Sequence, residues 1–176
     1  IPPVRRAEPP VRRPTHSRWP WIHWMLASFL LLTFLIQLTY VDGSSMASTL
    51  HSGDRLFIDK VSPHVSELDR GEIIVFTATN GKDEQYIKRV IALPGEWVEI
   101  RSGIVYVNNR AIQEFYVTLP DHTSFPQMRV PEDHLFVLGD NRINSEDSRV
   151  WGFVPMKNVM GIARFRFWPP ERVGTL

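Results

Sequence analysis

The sequence predicts a mostly β protein in which a single apolar helix precedes a β domain. Residues 19–41 contain no Asp, Glu, Lys or Arg, which indicates an apolar helix. Beyond Val41 the chain breaks into short apolar or alternating runs bounded by Gly, Pro, Asn and Asp, as in β domains. The formal net charge of +1 conceals a division at the same places, because residues 1–18 carry +4 and residues 42–176 carry −3.

Residues 1–18 are predicted to form a disordered, basic cytoplasmic tail. They hold five arginines and five prolines but few large apolar side chains. Such a segment buries too little surface to offset the conformational entropy that ordering removes.

Residues 19–41 are predicted to form a transmembrane helix, since about 20 mainly apolar residues span a bilayer. Tryptophans cluster at its start and Tyr40 stands near its end, where aromatic rings favour the headgroup region. The arginines before it predict a cytoplasmic N-terminus. The protein would then be single-pass in the plasma membrane, with residues 42–176 as an extracytoplasmic β domain. A removable signal peptide and a buried core helix are the alternatives, and Tyr40-Val41-Asp42-Gly43 is a poor cleavage site.

The exported part is predicted to be an all-β sandwich or partly open barrel, because several short strands are separated by turn signals. Ser102-Gly103 and Asn108-Asn109 are typical of hairpin turns. Residues 118–131 hold three prolines and are predicted to form a long loop. The predicted strands are residues 55–60, 72–78, 85–93, 97–101, 104–107, 135–138 and 159–168.

Composition excludes several kinds of chemistry. The chain has no cysteine, so it has no disulfide, thiol nucleophile or cysteine-bound zinc. It has no Gly-rich phosphate loop and no His-x-x-x-His pair, and the net-acidic exported part argues against nucleic acid. No metal or organic cofactor is implied.

Residues 85–93 carry an unusual cation. Alternation along a strand places Lys88 on one face and Arg89 on the other, each among apolar neighbours. Burial would lower the pKa of Lys88, and a neutral amine can act as a base whereas arginine stays protonated. The alternative is an edge strand with the Lys88 ammonium in solvent.

Two further segments concentrate polar groups. Residues 43–49 supply small residues and hydroxyls directly after the apolar span, either as a solvated linker or as a site at the membrane surface. Residues 139–149 place Asp and Arg among Asn and Ser, either as a polar turn with weak ion pairs or as the support of a site.

Together and in order, these segments resemble the type I signal peptidases, membrane-anchored serine endopeptidases that remove signal peptides from exported proteins, and within them the single-span Gram-positive-like members. The resemblance runs from the apolar span to about Pro169. It is carried by Gly43-Ser44-Ser45-Met46, by Tyr86-Ile87-Lys88-Arg89-Val90, and by Gly139-Asp140-Asn141-Arg142 with Asn144-Ser145 and Asp147-Ser148-Arg149.

The resemblance implies that residues 42–176 form an exported, all-β signal-peptidase-like catalytic domain, and it implies a role for each site residue. Ser45 would be the nucleophile, its backbone N–H an oxyanion donor, and Lys88 the general base in place of histidine. Ser145 would hydrogen-bond the Lys88 amine. Asp147, with Arg149 and Asp140, would hold the site together. Some relatives supply a second oxyanion donor from a serine at the position of Gly43, so here the second donor must be another group.

One position departs from the family pattern, because Ser48 stands where relatives usually have proline. A proline would stiffen the nucleophile loop, and its loss raises the alternative of a catalytically impaired relative that binds or regulates exported proteins. A self-cleaving Ser/Lys repressor is a third hypothesis, but residues 1–18 are too short for a DNA-binding domain.

The resemblance also implies the substrates, which are signal peptides of secretory precursors, cut after small-x-small motifs near the bilayer and the secretion translocon. Trp168 or Phe125 would lie exposed at the membrane rim.

Overall fold

The computed structural model describes residues 20–77, 84–119 and 121–176, so the predicted basic tail lies outside the described residues. Within them the protein is mostly β, as predicted. The helices are α1 (Pro20–Leu35), α2 (Ser62–Val65) and α3 (Ser148–Trp151), with 3-10 turns at Met156–Asn158 and Pro170–Arg172. The strands are β1 (Ile36–Tyr40), β2 (Arg55–Asp59), β3 (Ile73–Thr77), β4 (Gln85–Ala92), β5 (Trp97–Arg101), β6 (Ile104–Val107), β7 (Arg110–Ala111), β8 (Phe125–Arg129), β9 (His134–Leu138), β10 (Val154–Pro155), β11 (Val159–Trp168) and β12 (Gly174–Thr175).

The described strands form a large and a small antiparallel sheet. The large sheet has the order β1-β2-β11-β3-β4-β9-β10, with β12 paired to β11, and the small sheet has the order β7-β6-β5-β8. All seven predicted strands are found, most of them within one residue of the predicted bounds. Both predicted hairpin turns are confirmed, since Ser102, Asn108 and Asn109 take positive φ values of 48°, 50° and 63° as tight turns require.

The prediction of a long loop over residues 118–131 is wrong in part, because β8 lies within it. Pro126 favours a loop in the sequence pattern, because proline has no N–H to donate to a neighbouring strand. It is tolerated because β8 is an edge strand, which pairs only with β5 among the strands that the structure describes.

The prediction of one continuous helix over residues 19–41 also differs from the structure. Helix α1 ends at Leu35, and the next five residues form β1, which pairs with β2 from Ile36 opposite Asp59 to Tyr40 opposite Arg55. The segment Ile36–Tyr40 has the β-branched and aromatic residues that favour strands once a partner strand is present. Within residues 20–77, 84–119 and 121–176, no helix is both long enough and apolar enough to cross a bilayer.

Three apolar clusters fix the site relative to the sheets. One lies beneath the centre of the large sheet around Phe76 and Leu135, and a second joins the two sheets around Phe136 and Val98. The third contains Met46 and Leu50. It therefore secures the loop that follows β1 against the large sheet.

Candidate active site

Ser45 lies on a short turn between β1 and β2 that is anchored on both sides. Gly43 begins the turn with a φ of 97°, a conformation that L side chains rarely adopt. Met46 and Leu50 are buried in the core, and the Leu50 N–H donates to the Met46 carbonyl at 2.6 Å. Ser45 is thus held between a glycine turn and a buried methionine, with its side chain partly exposed.

Lys88 lies in the middle of β4, which pairs with β3 on one edge and with β9 on the other. Its side chain is buried, with only 2% of the residue exposed. The Lys88 Nζ lies 2.8 Å from the Ser45 Oγ and 3.1 Å from the Ile87 carbonyl oxygen. The alternative of an edge strand with a solvated ammonium is therefore wrong.

Burial lowers the pKa of Lys88 from 10.5 to about 8, although the negative charges of Asp147, Glu146 and Asp140 oppose the change. The cause is the loss of water around the ammonium, which disfavours its charged form. A substantial fraction of the amine is therefore neutral at mildly alkaline pH, next to a hydroxyl that it can deprotonate.

The segment from Gly139 to Asn141 supports the backbone of the Ser45 turn. The Asn141 N–H donates to the Ser45 carbonyl at 3.0 Å, and the Asn141 side-chain amide donates to the Ser44 carbonyl at 3.1 Å. A Cβ at Gly139 would lie 2.5 Å from the Ser45 carbonyl oxygen and 2.2 Å from the Ser145 Oγ. Glycine is therefore required for this close approach.

Asp147 and Arg149 form a buried ion pair behind this segment. The Asp147 carboxylate accepts hydrogen bonds from the Gly139 N–H at 3.1 Å and from the Arg149 Nε at 2.8 Å. Arg149 also pairs with Asp121. The pair therefore connects the segment at Gly139 to the residues that precede β8.

Asp140 pairs with Arg89, the neighbour of Lys88 on β4. Arg89 donates to both carboxylate oxygens at 2.9 and 2.7 Å, and Thr49 donates a further hydrogen bond to Asp140. Arg89 stands out in the sequence as a cation among apolar residues, but neither Arg89 nor Thr49 was predicted to belong to the site. The signal was available, because a buried guanidinium needs a carboxylate partner.

Ser145 does not make the hydrogen bond to Lys88 that the resemblance implied. Its Oγ is buried and has no hydrogen-bond partner within the described part of the chain. The hydroxyl instead lies beside Gly139, 2.2 Å from the position that a Cβ there would occupy.

Ser48, at the position that is usually proline, also has a buried Oγ without a partner among the described residues. The turn is nevertheless held by other contacts. The Thr49 N–H donates to the Met46 carbonyl at 2.8 Å, and the Asp140 N–H lies 3.4 Å from the Met46 sulfur. These contacts hold the turn at the position where relatives usually have proline.

A cavity of about 250 Å³ opens beside Ser45 and Lys88. Its two walls are the end of β1 with the residues that follow, and the start of β4. Val41, Val75 and Ile87 give it an apolar lining, with Asp42 and Gln85 at the same cavity. A cavity of this size can receive a side chain next to the Ser45 hydroxyl.

A serine hydroxyl within hydrogen-bond distance of a buried lysine is the arrangement of serine hydrolases that use a lysine base. The chain belongs to the signal peptidase family, peptidase S26, whose pattern matches residues 18–168. The resemblance read from the sequence is therefore confirmed, and the chain is a serine endopeptidase by family.

Individual relatives agree with this membership. The chain is 45% identical over 159 residues to the probable signal peptidase I-1 of Synechocystis, across 86% of this chain and 81% of the relative. It is 38% identical over 168 residues to signal peptidase I of Bacillus caldolyticus, across 86% and 90%. The crystal structure of a signal peptidase I from Enterococcus faecalis V583 superposes with a TM-score of 0.51 at 33% identity, across 55% of this chain and 97% of that one.

Proposed function

We propose that this chain cleaves N-terminal signal peptides from exported precursors after small-x-small motifs, with Ser45 as nucleophile and neutral Lys88 as general base. One observation carries the proposal: the buried Lys88 amine lies 2.8 Å from the Ser45 hydroxyl. A hydroxyl becomes an effective nucleophile when an adjacent base takes its proton, and lysine serves only while it is uncharged.

In the first half-reaction the Ser45 Oγ attacks the scissile carbonyl while its proton passes to the Lys88 Nζ. The Ser45 N–H donates no backbone hydrogen bond within the described residues, so it is available to the developing oxyanion. The Lys88 ammonium then protonates the leaving nitrogen, which becomes the N-terminus of the mature protein. The signal peptide stays on Ser45 as an ester.

In the second half-reaction neutral Lys88 takes a proton from water, and the hydroxide attacks the ester carbonyl. The proton returns to the Ser45 Oγ as the signal peptide leaves with a free carboxylate. Asp140, Asp147 and Arg149 support this cycle by holding the segment from Gly139 onward, without touching the reacting atoms.

The cavity beside Ser45 is the proposed binding site for the residues that precede the scissile bond. An extended precursor between the end of β1 and the start of β4 would place a side chain against Val41 and Ile87. The cavity, at about 250 Å³, has room for alanine, and the preference for small side chains enters this proposal from the signal peptidase family rather than from the cavity volume.

The membrane location and the single-pass topology belong to the same proposal, with the tail of residues 1–18 cytoplasmic, a bilayer anchor within residues 19–41, and residues 42–176 exported beside the secretion translocon. Tyr40, Arg55 and Trp168 lie side by side across β1, β2 and β11, and the two aromatic residues are 72% and 49% exposed. Aromatic rings with a cation suit a lipid headgroup region. Phe125, the other residue predicted to lie at the membrane rim, instead packs on Phe136, with the two ring centres 5.1 Å apart.

The proposal is tested by cleavage of a purified secretory precursor in detergent. The wild type should cut it, Ser45→Ala and Lys88→Met should not, and Lys157→Met, which changes an exposed lysine, should match the wild type. Cleavage by Ser45→Ala or Lys88→Met at the wild-type rate would refute the assignment. A wild type that binds the precursor without cutting it would favour the impaired-relative alternative.

Topology is tested separately with intact spheroplasts. Protease added outside should digest residues 42–176 and spare an epitope placed before residue 19. Digestion of that epitope alone would contradict the proposed orientation.

A further inference from the structure

The small sheet supplies no residue to the proposed mechanism, yet its connection from β7 toward β8 lies against the site. We call residues 112–119 of this connection the strap. We propose that Glu114 and Tyr116 of the strap are positioning residues that hold the backbone of Ser45 through Arg142 and Arg89. The inference rests on the proposed function, because it concerns the same reaction.

The first contact is a buried ion pair between Glu114 and Arg142. Two hydrogen bonds of 3.0 and 2.6 Å join the carboxylate to the guanidinium, and the side chains are 10% and 2% exposed. The Arg142 Nε also donates to the Gly139 carbonyl at 3.0 Å. Bidentate pairing fixes the plane of the guanidinium, so Glu114 determines where Arg142 holds Gly139.

The second contact is a stacked pair between Tyr116 and Arg89. The Arg89 guanidinium carbon lies 4.0 Å from the centre of the Tyr116 ring, well inside the range of a cation–π interaction. Arg89 in turn binds Asp140 through both of its carboxylate oxygens. The Tyr116 hydroxyl donates to Glu114 at 2.8 Å, so the two strap residues also support each other.

Both contacts meet at the same short segment. Arg142 holds the Gly139 carbonyl, Arg89 holds the Asp140 side chain, and the next residue, Asn141, donates its N–H to the Ser45 carbonyl. A displacement of about 1 Å in reacting groups is enough to reduce a rate by about a hundredfold. The strap therefore acts on the chemical step rather than on precursor binding, since its charged contacts face the arginines and not the cavity.

The test compares four variants of the full chain in detergent. Glu114→Gln weakens the pair with Arg142, Tyr116→Leu removes the ring over Arg89, and Tyr116→Phe keeps the ring but loses the hydroxyl. Glu96→Gln is the control, because Glu96 also pairs with an arginine: both of its carboxylate oxygens accept from Arg70 Nη2, at 2.7 and 2.9 Å. Neither Glu96 nor Arg70 contacts Ser45 among the described residues. The measurements are kcat and KM for a secretory precursor, the pH dependence of kcat/KM, and hydrogen exchange in peptides covering residues 139–145.

We expect kcat to fall about ten- to a hundredfold in Glu114→Gln and in Tyr116→Leu, with KM and the kinetic pKa unchanged and faster exchange at residues 139–145. Tyr116→Phe and Glu96→Gln should stay within about twofold of the wild type. The proposal is overturned if both strap variants keep wild-type kcat, or if Glu96→Gln loses as much.

Exchange separates this inference from the proposed function. If the wild type does not cleave the precursor, the proposed function fails, and faster exchange at residues 139–145 in Glu114→Gln alone would still support the positioning contact. If Glu114→Gln does not fold, Tyr116→Leu decides the outcome through the same measurements.

Discussion

Replacement of Lys88 by methionine should stabilise the folded chain while abolishing its activity. Methionine has a similar length and no charge, so it fits the buried position without the loss of hydration that the ammonium suffers. The change therefore tests whether Lys88 is held in an unfavourable environment for the sake of its chemistry.

The magnitude follows from the pKa difference between the unfolded and folded chain. A fall from 10.5 to about 8 corresponds to about 3 kcal/mol of destabilisation below pH 8, at 1.36 kcal/mol per pKa unit. Lost hydrogen bonds to Ser45 and Ile87 reduce the gain by about 1 kcal/mol each. We expect Lys88→Met to be more stable than the wild type by about 1–3 kcal/mol at neutral pH.

The pH dependence of this stability difference shows whether the Lys88 charge is its cause. Because the folded pKa of Lys88 is the lower one, the unfolded chain binds more protons between about pH 8 and 10.5, and wild-type stability rises across that range. The advantage of Lys88→Met should therefore shrink by about 2 kcal/mol from pH 7 to pH 10.

The assay is urea unfolding of both full chains in the same detergent at pH 7 and pH 10, with Lys157→Met as the control. Lower stability of Lys88→Met at pH 7, or an advantage that does not change with pH, would refute the reasoning.

Three other predictions concern the groups around the site. Gly139→Ala should lower kcat at least about tenfold, because the added Cβ would lie 2.5 Å from the Ser45 carbonyl oxygen. Gly174→Ala, whose Cβ would meet no atom within 4 Å, should leave kcat unchanged, and steady-state kinetics checks both variants. Asp140→Asn should lower the free energy of unfolding by about 3–5 kcal/mol, since a buried arginine loses its charged partner, and an unchanged urea midpoint would contradict the pairing. Ser48→Ala should raise the free energy of unfolding by about 1 kcal/mol, because the buried hydroxyl has no partner in the described residues; a fall in thermal midpoint would count against this account.

The local features of the fold followed from local sequence patterns. The hairpin at Ser102-Gly103 and the strands on either side were predictable because turn residues and alternation act over a few positions. Strand β1 was not predictable, because an apolar run suits both a helix and a strand. Its partner strand β2 begins only at Arg55, after the turn that carries Ser45.

In the site, too, local patterns predicted single residues but not the partners that they meet. Alternation already implied a buried cation at Lys88 or Arg89, but the partners lie far apart in sequence, with Ser45 and Lys88 separated by 43 positions and Arg89 and Asp140 by 51. Only the resemblance of ordered motifs connected the first pair. The second pair required the register of β4 against β9, which places Arg89 opposite Leu138.

The central claim, that neutral Lys88 takes the proton of Ser45, is tested most directly by the pH dependence of kcat/KM for precursor cleavage. Lysine accepts a proton only when it is uncharged, so kcat/KM should rise with pH through about 8 and then level off. A profile that is flat from pH 5 to 10, or one that rises only above pH 10, would contradict a buried lysine base.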